Sequence, residues 1–271
     1  MKRLAILTSV FVAIASCGGQ MIPVEDATSA FPDGSLERPA IQPAEQDPAS
    51  ATDAAPVPEE TVYQGFAASA NDGPTLVAMT RGEVDVFEAP GSSDPIRTLP
   101  ATTILGTATV LTALGQPEAG WLQVLLPGRP NGATGWVEIT SVDLYTVTDR
   151  VVVDLSQREL VYYIDGVEQM RTPVAIGTSN NPTPTGTFFV TDKVKLADGA
   201  GPWGPAAIGL SARSDTITEF NGGDGIIGIH GTNRPGSIGQ AASLGCLRLP
   251  NELITELKDL VSLGTPVEVR A

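Results

Sequence analysis

From residue 74 onward, apolar residues come in short runs separated by Gly, Pro, Asn and Asp, a pattern of many short strands. Leu76-Val77-Ala78-Met79, Val84-Asp85-Val86-Phe87, Thr107-Ala108-Thr109-Val110-Leu111, Trp121-Leu122-Gln123-Val124 and Gly135-Trp136-Val137 read as strands. Pro90-Gly91, Pro127-Gly128 and Asn131-Gly132 punctuate them. This predicts a small β-barrel over residues 74–147, with Trp121 and Trp136 read most simply as core aromatics. A second β-rich module is predicted over 148–271. There Arg150-Val151-Val152-Val153-Asp154-Leu155 and Glu159-Leu160-Val161-Tyr162-Tyr163-Ile164 flank a Ser-Gln-Arg turn as a hairpin, and Asp165-Gly166 signals another tight turn. One stretch has helical spacing. Leu253, Ile254, Leu257, Leu260 and Val261 follow i, i+3/i+4, i+7, with Asn251 placed to cap the start and Gly264 to end it. Pro266-Val267-Glu268-Val269 closes the chain as a strand. The expected fold class is mainly β: a small barrel, then a β-sandwich with a short C-terminal helix.

The front of the chain follows neither period. Met1-Lys2-Arg3 is a basic start, Leu4 to Ala15 is nearly all apolar, and small residues lead to Cys17, the layout of a secretory signal over 1–17. A run from 4 to 15 is too short to span a bilayer, for which about 20 residues are needed. Residues 18–73 are rich in Pro, Ala, Ser and acids, a composition that cannot bury enough apolar surface to offset the entropy of ordering. A disordered tether is expected there, with an end-to-end distance on the order of 40 Å. Glu25, Asp26, Asp33, Glu37, Glu45, Asp47, Asp53, Glu59, Glu60 and Asp72 face the single base Arg38 in this stretch, so much of the net charge of −15 lies in the tether. So acidic a chain is not expected to bind nucleic acid, which asks for basic patches.

The chemistry gathers near the C-terminus. Gly228-Ile229-His230-Gly231-Thr232-Asn233 holds the only histidine, and Ser243-Leu244-Gly245-Cys246-Leu247-Arg248-Leu249 holds one of two cysteines. A free thiol, with a pKa of about 8.5, is mostly protonated at neutral pH. A neighbouring imidazole can take that proton and leave a reactive thiolate. An inert buried cysteine beside a core histidine is the plain alternative. If Cys17 is lipidated, however, the exported chain holds a single thiol, and a leftover thiol is better read as reactive than as structural. One histidine and one thiol also fall short of the four N/S ligands of a structural zinc site, so metal catalysis is not expected, and no cofactor is expected either.

These two segments closely resemble the signature of the YkuD-type L,D-transpeptidases, a His-Gly-Thr followed by Ser-His-Gly-Cys-[Ile/Val]-Arg. The chain keeps His230-Gly231-Thr232, Ser243, Gly245-Cys246 and Arg248, but has Leu244 where the family usually has a second histidine. Asn181-Pro182-Thr183-Pro184-Thr185-Gly186-Thr187-Phe188 is similar to a second family element, so the likeness runs over roughly 148–271. The resemblance implies that Cys246 attacks the carbonyl between the third and fourth residues of a peptidoglycan stem peptide. His230 then serves as base, oriented by the backbone carbonyl of Gly231. Backbone N–H groups near Gly245 and Cys246 are candidate oxyanion donors. Arg248 is the candidate partner of a substrate carboxylate, with a structural ion pair as the alternative. Ser243 either contacts substrate or holds the loop, Thr232 and Asn233 are candidates to line the cleft, and Trp203 forms one wall or fills the core.

Two further resemblances concern the rest of the chain. The end of the signal is similar to the lipobox of bacterial lipoproteins, which implies lipidation of Cys17 and a membrane anchor; Gly18, in place of Asp, points to the outer membrane. The Gly120-Trp121 and Gly135-Trp136-Val137 pair resembles bacterial SH3-like modules, and Leu126-Pro127-Gly128-Arg129-Pro130-Asn131-Gly132 is similar to a segment found upstream of many such transpeptidase domains. The expected location is thus the periplasm and cell envelope. Three function classes stay open: transfer to an acceptor amine of another stem or of an envelope protein to be anchored, hydrolysis through the same thioester, and non-catalytic wall binding. Leu244 is the only sequence argument for the last.

Overall fold

The structure is a computed structural model that describes residues 73–220 and 223–271. The signal, Cys17 and the tether lie outside the described residues. The first β module comprises β1 (Thr75–Thr80), β2 (Val84–Val86), β3 (Arg97–Leu99), β4 (Val110–Thr112), β5 (Trp121–Leu125), β6 (Thr134–Glu138) and β7 (Val142–Val147). They pair as a three-stranded sheet β4-β1-β7 and two hairpins, β2-β3 and β5-β6. Backbone bonds between Phe87 and Trp136 and between Leu114 and Gln123 stitch these pieces together.

The expectation of core tryptophans is corrected here. Alternation along β5 turns Leu122 and Val124 inward, so Trp121 points the other way, and Trp136 lies across from Gln123 on the same outer face. Both are half-buried, and Trp121 meets Phe87 edge-to-face at 5.3 Å between centroids.

The second module comprises β8 (Asp149–Asp154), β9 (Glu159–Ile164), β10 (Val167–Pro173), β11 (Ile176–Gly177), β12 (Gly186–Lys195), β13 (Ala206–Arg213), β14 (Ile226–His230), β15 (Ala241–Ser243), β16 (Leu247–Arg248), α1 (Asn251–Leu260) and β17 (Pro266–Arg270). Eight of its strands join in the order β10-β9-β8-β17-β12-β13-β14-β16. The predicted hairpin is β8-β9, and the Asp165-Gly166 turn between β9 and β10 has positive φ at both residues, 50° and 75°. β12 carries the corner. Its first half pairs with β17, its second half with β13, and the register shifts between Val190 and Asp192. The two halves of the sheet therefore fold over one core, in which Val151, Leu160 and Tyr162 meet Ile208, Ile229 and Leu247.

Helix α1 presents Ile254 and Leu257 to that core. It starts after Pro250, and Asn251 is its first residue, not its cap; the Asn251 side chain is engaged elsewhere. The helix ends at Leu260 with Val261 as its last cap, and Gly264 instead makes the turn into β17 at φ +79°.

β12 is also the wall between the modules. Successive side chains on a strand face opposite ways. Phe188 enters the second core, while Phe189, fully buried, completes the first among Val77, Leu111 and Val137. Polar ties follow the same seam: Thr112 Oγ1 donates to Gly264 O at 2.9 Å and Tyr145 Oη to Leu263 O at 2.9 Å. Burial and the nearby Asp149 charge push the Tyr145 phenol up to about 12.

Candidate active site

β14 and β16 run parallel with Ile229 opposite Leu247 and His230 opposite Arg248. Partners in register share a face, so His230 and Arg248 lie side by side. Cys246, just ahead of β16, faces the same way two positions back. Two residues of rise and one strand spacing separate the Cys246 and His230 Cα atoms by roughly 8 Å. The sixteen intervening positions in sequence thus reduce to adjacent strands at one edge of the sheet.

The imidazole is fully buried. Nδ1 lies 2.6 Å from Gly231 O. A carbonyl can only accept, so Nδ1 carries the hydrogen, and the neutral ring keeps a bare lone pair on Nε2. That Nε2 is buried and has no hydrogen-bond partner among the described residues. Desolvation pulls the His230 pKa down to about 4; the Gly231 carbonyl acts against this, and the Arg248 charge adds to it. At neutral pH the ring is therefore an uncharged base. The Trp203 ring covers it, with centroids 4.7 Å apart and planes at 41°. Trp203 is half-buried and sits against the imidazole as a wall of the site.

Close backbone contact holds this wall. Gly204 is at φ +64°, and a Cβ there would fall 2.7 Å from the Gly231 Cα and 2.8 Å from the Thr232 nitrogen. Asn251 Oδ1 fills the remaining space and accepts from Thr232 N at 2.8 Å. So the side chain expected to cap α1 instead fixes the turn that follows His230. Thr232 Oγ1 accepts from Arg234 N at 2.9 Å, and Thr232 is buried. Asn233 is exposed at the rim.

The loop Ser243-Leu244-Gly245-Cys246 is held from within. Ser243 Oγ donates to Cys246 O at 2.5 Å and accepts from Gly245 N at 3.1 Å. Gly245 has φ +118°, a conformation open to glycine. Its carbonyl accepts from Thr183 Oγ1 at 2.8 Å, and the same hydroxyl accepts from Gly177 N at 2.9 Å. In this geometry Ser243 holds the loop, one of the two roles expected for it, and its hydroxyl engages the Gly245 N–H. Cys246 is 1% exposed, and its Sγ faces Ile226 O at 4.0 Å. Arg248 is 4% exposed, so a carboxylate would meet it only inside the site. Leu244 is half-buried. Among the described residues no group of three or more His, Cys, Asp or Glu is placed to hold a metal ion.

Residues 148–269 match the YkuD L,D-transpeptidase catalytic domain family. A Bacillus licheniformis protein named as the L,D-transpeptidase YkuD is 33% identical over 155 residues, covering 57% of this chain and 78% of that protein. The chain belongs to the YkuD L,D-transpeptidase family. The Bacillus subtilis protein of the same name is 28% identical over 179 residues, covering 65% of this chain and 93% of that protein. An L,D-transpeptidase structure from Mycobacterium tuberculosis is 16% identical with a TM-score of 0.42, covering 75% of this chain and 100% of that one.

Within the family domain, Thr183 and Asn251 had no site role assigned from sequence. Thr183 lies in the recognised Asn181-Pro182-Thr183 element, which offers a signal. Asn251 sits at the start of an amphipathic helix, where capping is the ordinary expectation. The contact of Ile226 O with the thiol has no sequence signal, because any residue supplies a carbonyl.

Proposed function

We propose that this chain is a peptidoglycan L,D-transpeptidase that works through a thioester on Cys246. The observation that carries the reading is the tautomer of His230: Nδ1–H is committed to Gly231 O, leaving a buried, unpartnered Nε2 as base beside the nucleophile strand. Nε2 takes the thiol proton as sulfur attacks the carbonyl between the third and fourth stem residues. The tetrahedral intermediate collapses, the C–N bond breaks, and His230 returns the proton to the departing D-residue amine. An acceptor amine then attacks the thioester, gives its proton to Nε2, and forms the new amide as the C–S bond breaks. The thiolate leaves, and the proton on His230 restores the thiol. The positive Arg248 beside this centre favours the anionic species of each step.

Membership of the L,D-transpeptidase family favours an amine over water as acceptor. Hydrolysis is the second reading, because the same thioester precedes it. We read the first module as SH3-like and the chain as lipid-anchored through Cys17, working on stem peptides in the cell envelope, at the outer membrane. Product analysis tests the choice. With a stem tetrapeptide donor and an acceptor amine, transfer predicts a new amide product. Free tripeptide as the sole product, with acceptor present, would make the protein a hydrolase.

A further inference from the structure

The segment Leu126-Pro127-Gly128-Arg129-Pro130-Asn131-Gly132 belongs to the first module, between β5 and β6, yet Gly128, Arg129 and Asn131 hydrogen-bond to the second. Gly128 N donates to Ser211 O at 3.0 Å. Asn131 Nδ2 donates to Arg213 O at 2.7 Å and to Asp215 Oδ1 at 3.1 Å, while Asn131 Oδ1 accepts from Arg213 N at 2.8 Å. The Arg129 guanidinium gathers three carbonyls: one terminal nitrogen donates to Asp224 O at 2.7 Å, the other to Ser214 O at 2.8 Å and to Ile217 O at 3.0 Å. From its own side, Arg97 of β3 braces the segment by donating to Pro127 O at 2.8 Å and Arg129 O at 2.9 Å.

Ser214 follows the end of β13, and Asp224 precedes the start of β14. Arg129 therefore ties together the two ends of the connection that leads to the catalytic strand, where Ser214 N also donates to Gly225 O at 2.8 Å. Ile226 is the next residue, and its carbonyl is the one facing Cys246 Sγ. His230 lies four positions further along the same strand. A second path starts at Thr216, whose Oγ1 donates to Asn181 Oδ1 at 3.1 Å; two residues on, Thr183 holds Gly245 O. Carbonyls that converge have no backbone donor to pair with. One planar guanidinium supplies the several donors they need, which a lysine ammonium cannot do in the same fork.

We propose that Arg129 is a positioning residue of the active site. By holding the carbonyls of Ser214, Ile217 and Asp224 it fixes the start of β14, and with it the Ile226 carbonyl and the His230 ring relative to Cys246. The first module thus contributes to the reaction by positioning its groups. This inference rests on the cysteine mechanism proposed above.

The test uses the full chain and a carbapenem as acylating probe, followed by intact-protein mass. Small misplacements of reacting groups are costly, so Arg129→Ala is expected to lower the acylation rate constant of the folded protein about ten-fold or more. Millimolar methylguanidinium should restore part of that rate, and the pH midpoint of acylation should move. A purely structural arginine would instead lower the melting temperature and leave the rate constant and pH midpoint of the folded fraction at wild-type values, which would overturn the proposal. Should Arg129→Ala not fold, Arg129→Lys is read in the same assay: slowing by more than roughly three-fold supports the proposal and any smaller change overturns it. Equal rates in wild type and variant sink this inference alone, whereas a wild-type chain that is never acylated sinks the cysteine mechanism and this inference with it.

Discussion

The two β modules divide their labour unequally. The second has strands of up to ten residues, one continuous sheet of eight and both members of the Cys–His pair. The first has three strands of only three residues each, and its core is completed by Phe189, borrowed from β12 of its neighbour. In return it sends Arg129 and Asn131 across the seam to the connection that precedes β14. A small module that would expose part of its core alone, and a catalytic module whose approach strand is anchored from outside, make one folding unit out of two sequence patterns. The lesson is that adjacent apolar residues on a shared strand, such as Phe188 and Phe189, can serve two cores at once.

Substitutions in each region should separate their roles. His230→Gln keeps a buried polar side chain but removes the base, and should slow acylation of Cys246 by about 10²–10⁴-fold while leaving the urea midpoint nearly unchanged. A slow-down of less than ten-fold, judged on that scale, would detach His230 from the chemistry. Phe189→Ala acts on the seam instead. Loss of a fully buried aromatic should cost about 3–5 kcal/mol, read as a lower urea midpoint. Should the variant lose only the first module's tryptophan signal and keep the second module folded, the two modules are less coupled than the shared wall implies.

Acid sharpens the comparison from the other side. The unfolded chain protonates His230 near its ordinary pKa of 6.5, whereas the folded chain does so only near 4. Below 6.5 the unfolded state therefore binds more protons, so stability is full above that pH and falls as pH drops towards 4, by on the order of 3 kcal/mol. The difference between wild-type and His230→Gln melting curves across that window should carry this slope, and parallel curves would contradict it. The smallest effect is expected from Asn251→Ala, which leaves the Thr232 N–H without its acceptor and should cost about 1–3 kcal/mol. If Asn251 acted as a helix cap, Asn251→Ser would restore the loss; the structure predicts that it does not, because the shorter side chain cannot reach Thr232.

Much of this was readable in advance where a period or a motif imposes itself. The β8-β9 hairpin, the Asp165-Gly166 turn and the buried face of α1 follow directly from spacing. The Cys246 and His230 segments were marked by their residue types. Other features depend on partners far along the chain. β3 is a short Arg-Thr-Leu strand without a pattern of its own, held by β2 and by Thr98 Oγ1 donating to Asp85 Oδ1 at 2.6 Å. Trp121 and Trp136 read as core residues because they are large and apolar, yet Leu122, Val124 and Val137 already occupy the inner face. Asn251 fits a capping pattern, but the close approach of Gly204 to Gly231 gives its side chain a different use. The parallel pairing of β14 with β16, which turns two distant motifs into one site, leaves no mark on either segment alone.

The central claim is that Cys246, with His230 as its base, forms the acyl-enzyme. Intact-protein mass spectrometry of the chain incubated with a stem tetrapeptide, or with a carbapenem as a trapping acyl donor, tests it most directly. The account predicts a single adduct on the wild-type chain that disappears in Cys246→Ala. An adduct that persists in Cys246→Ala, or none on the wild type with either reagent, would contradict it.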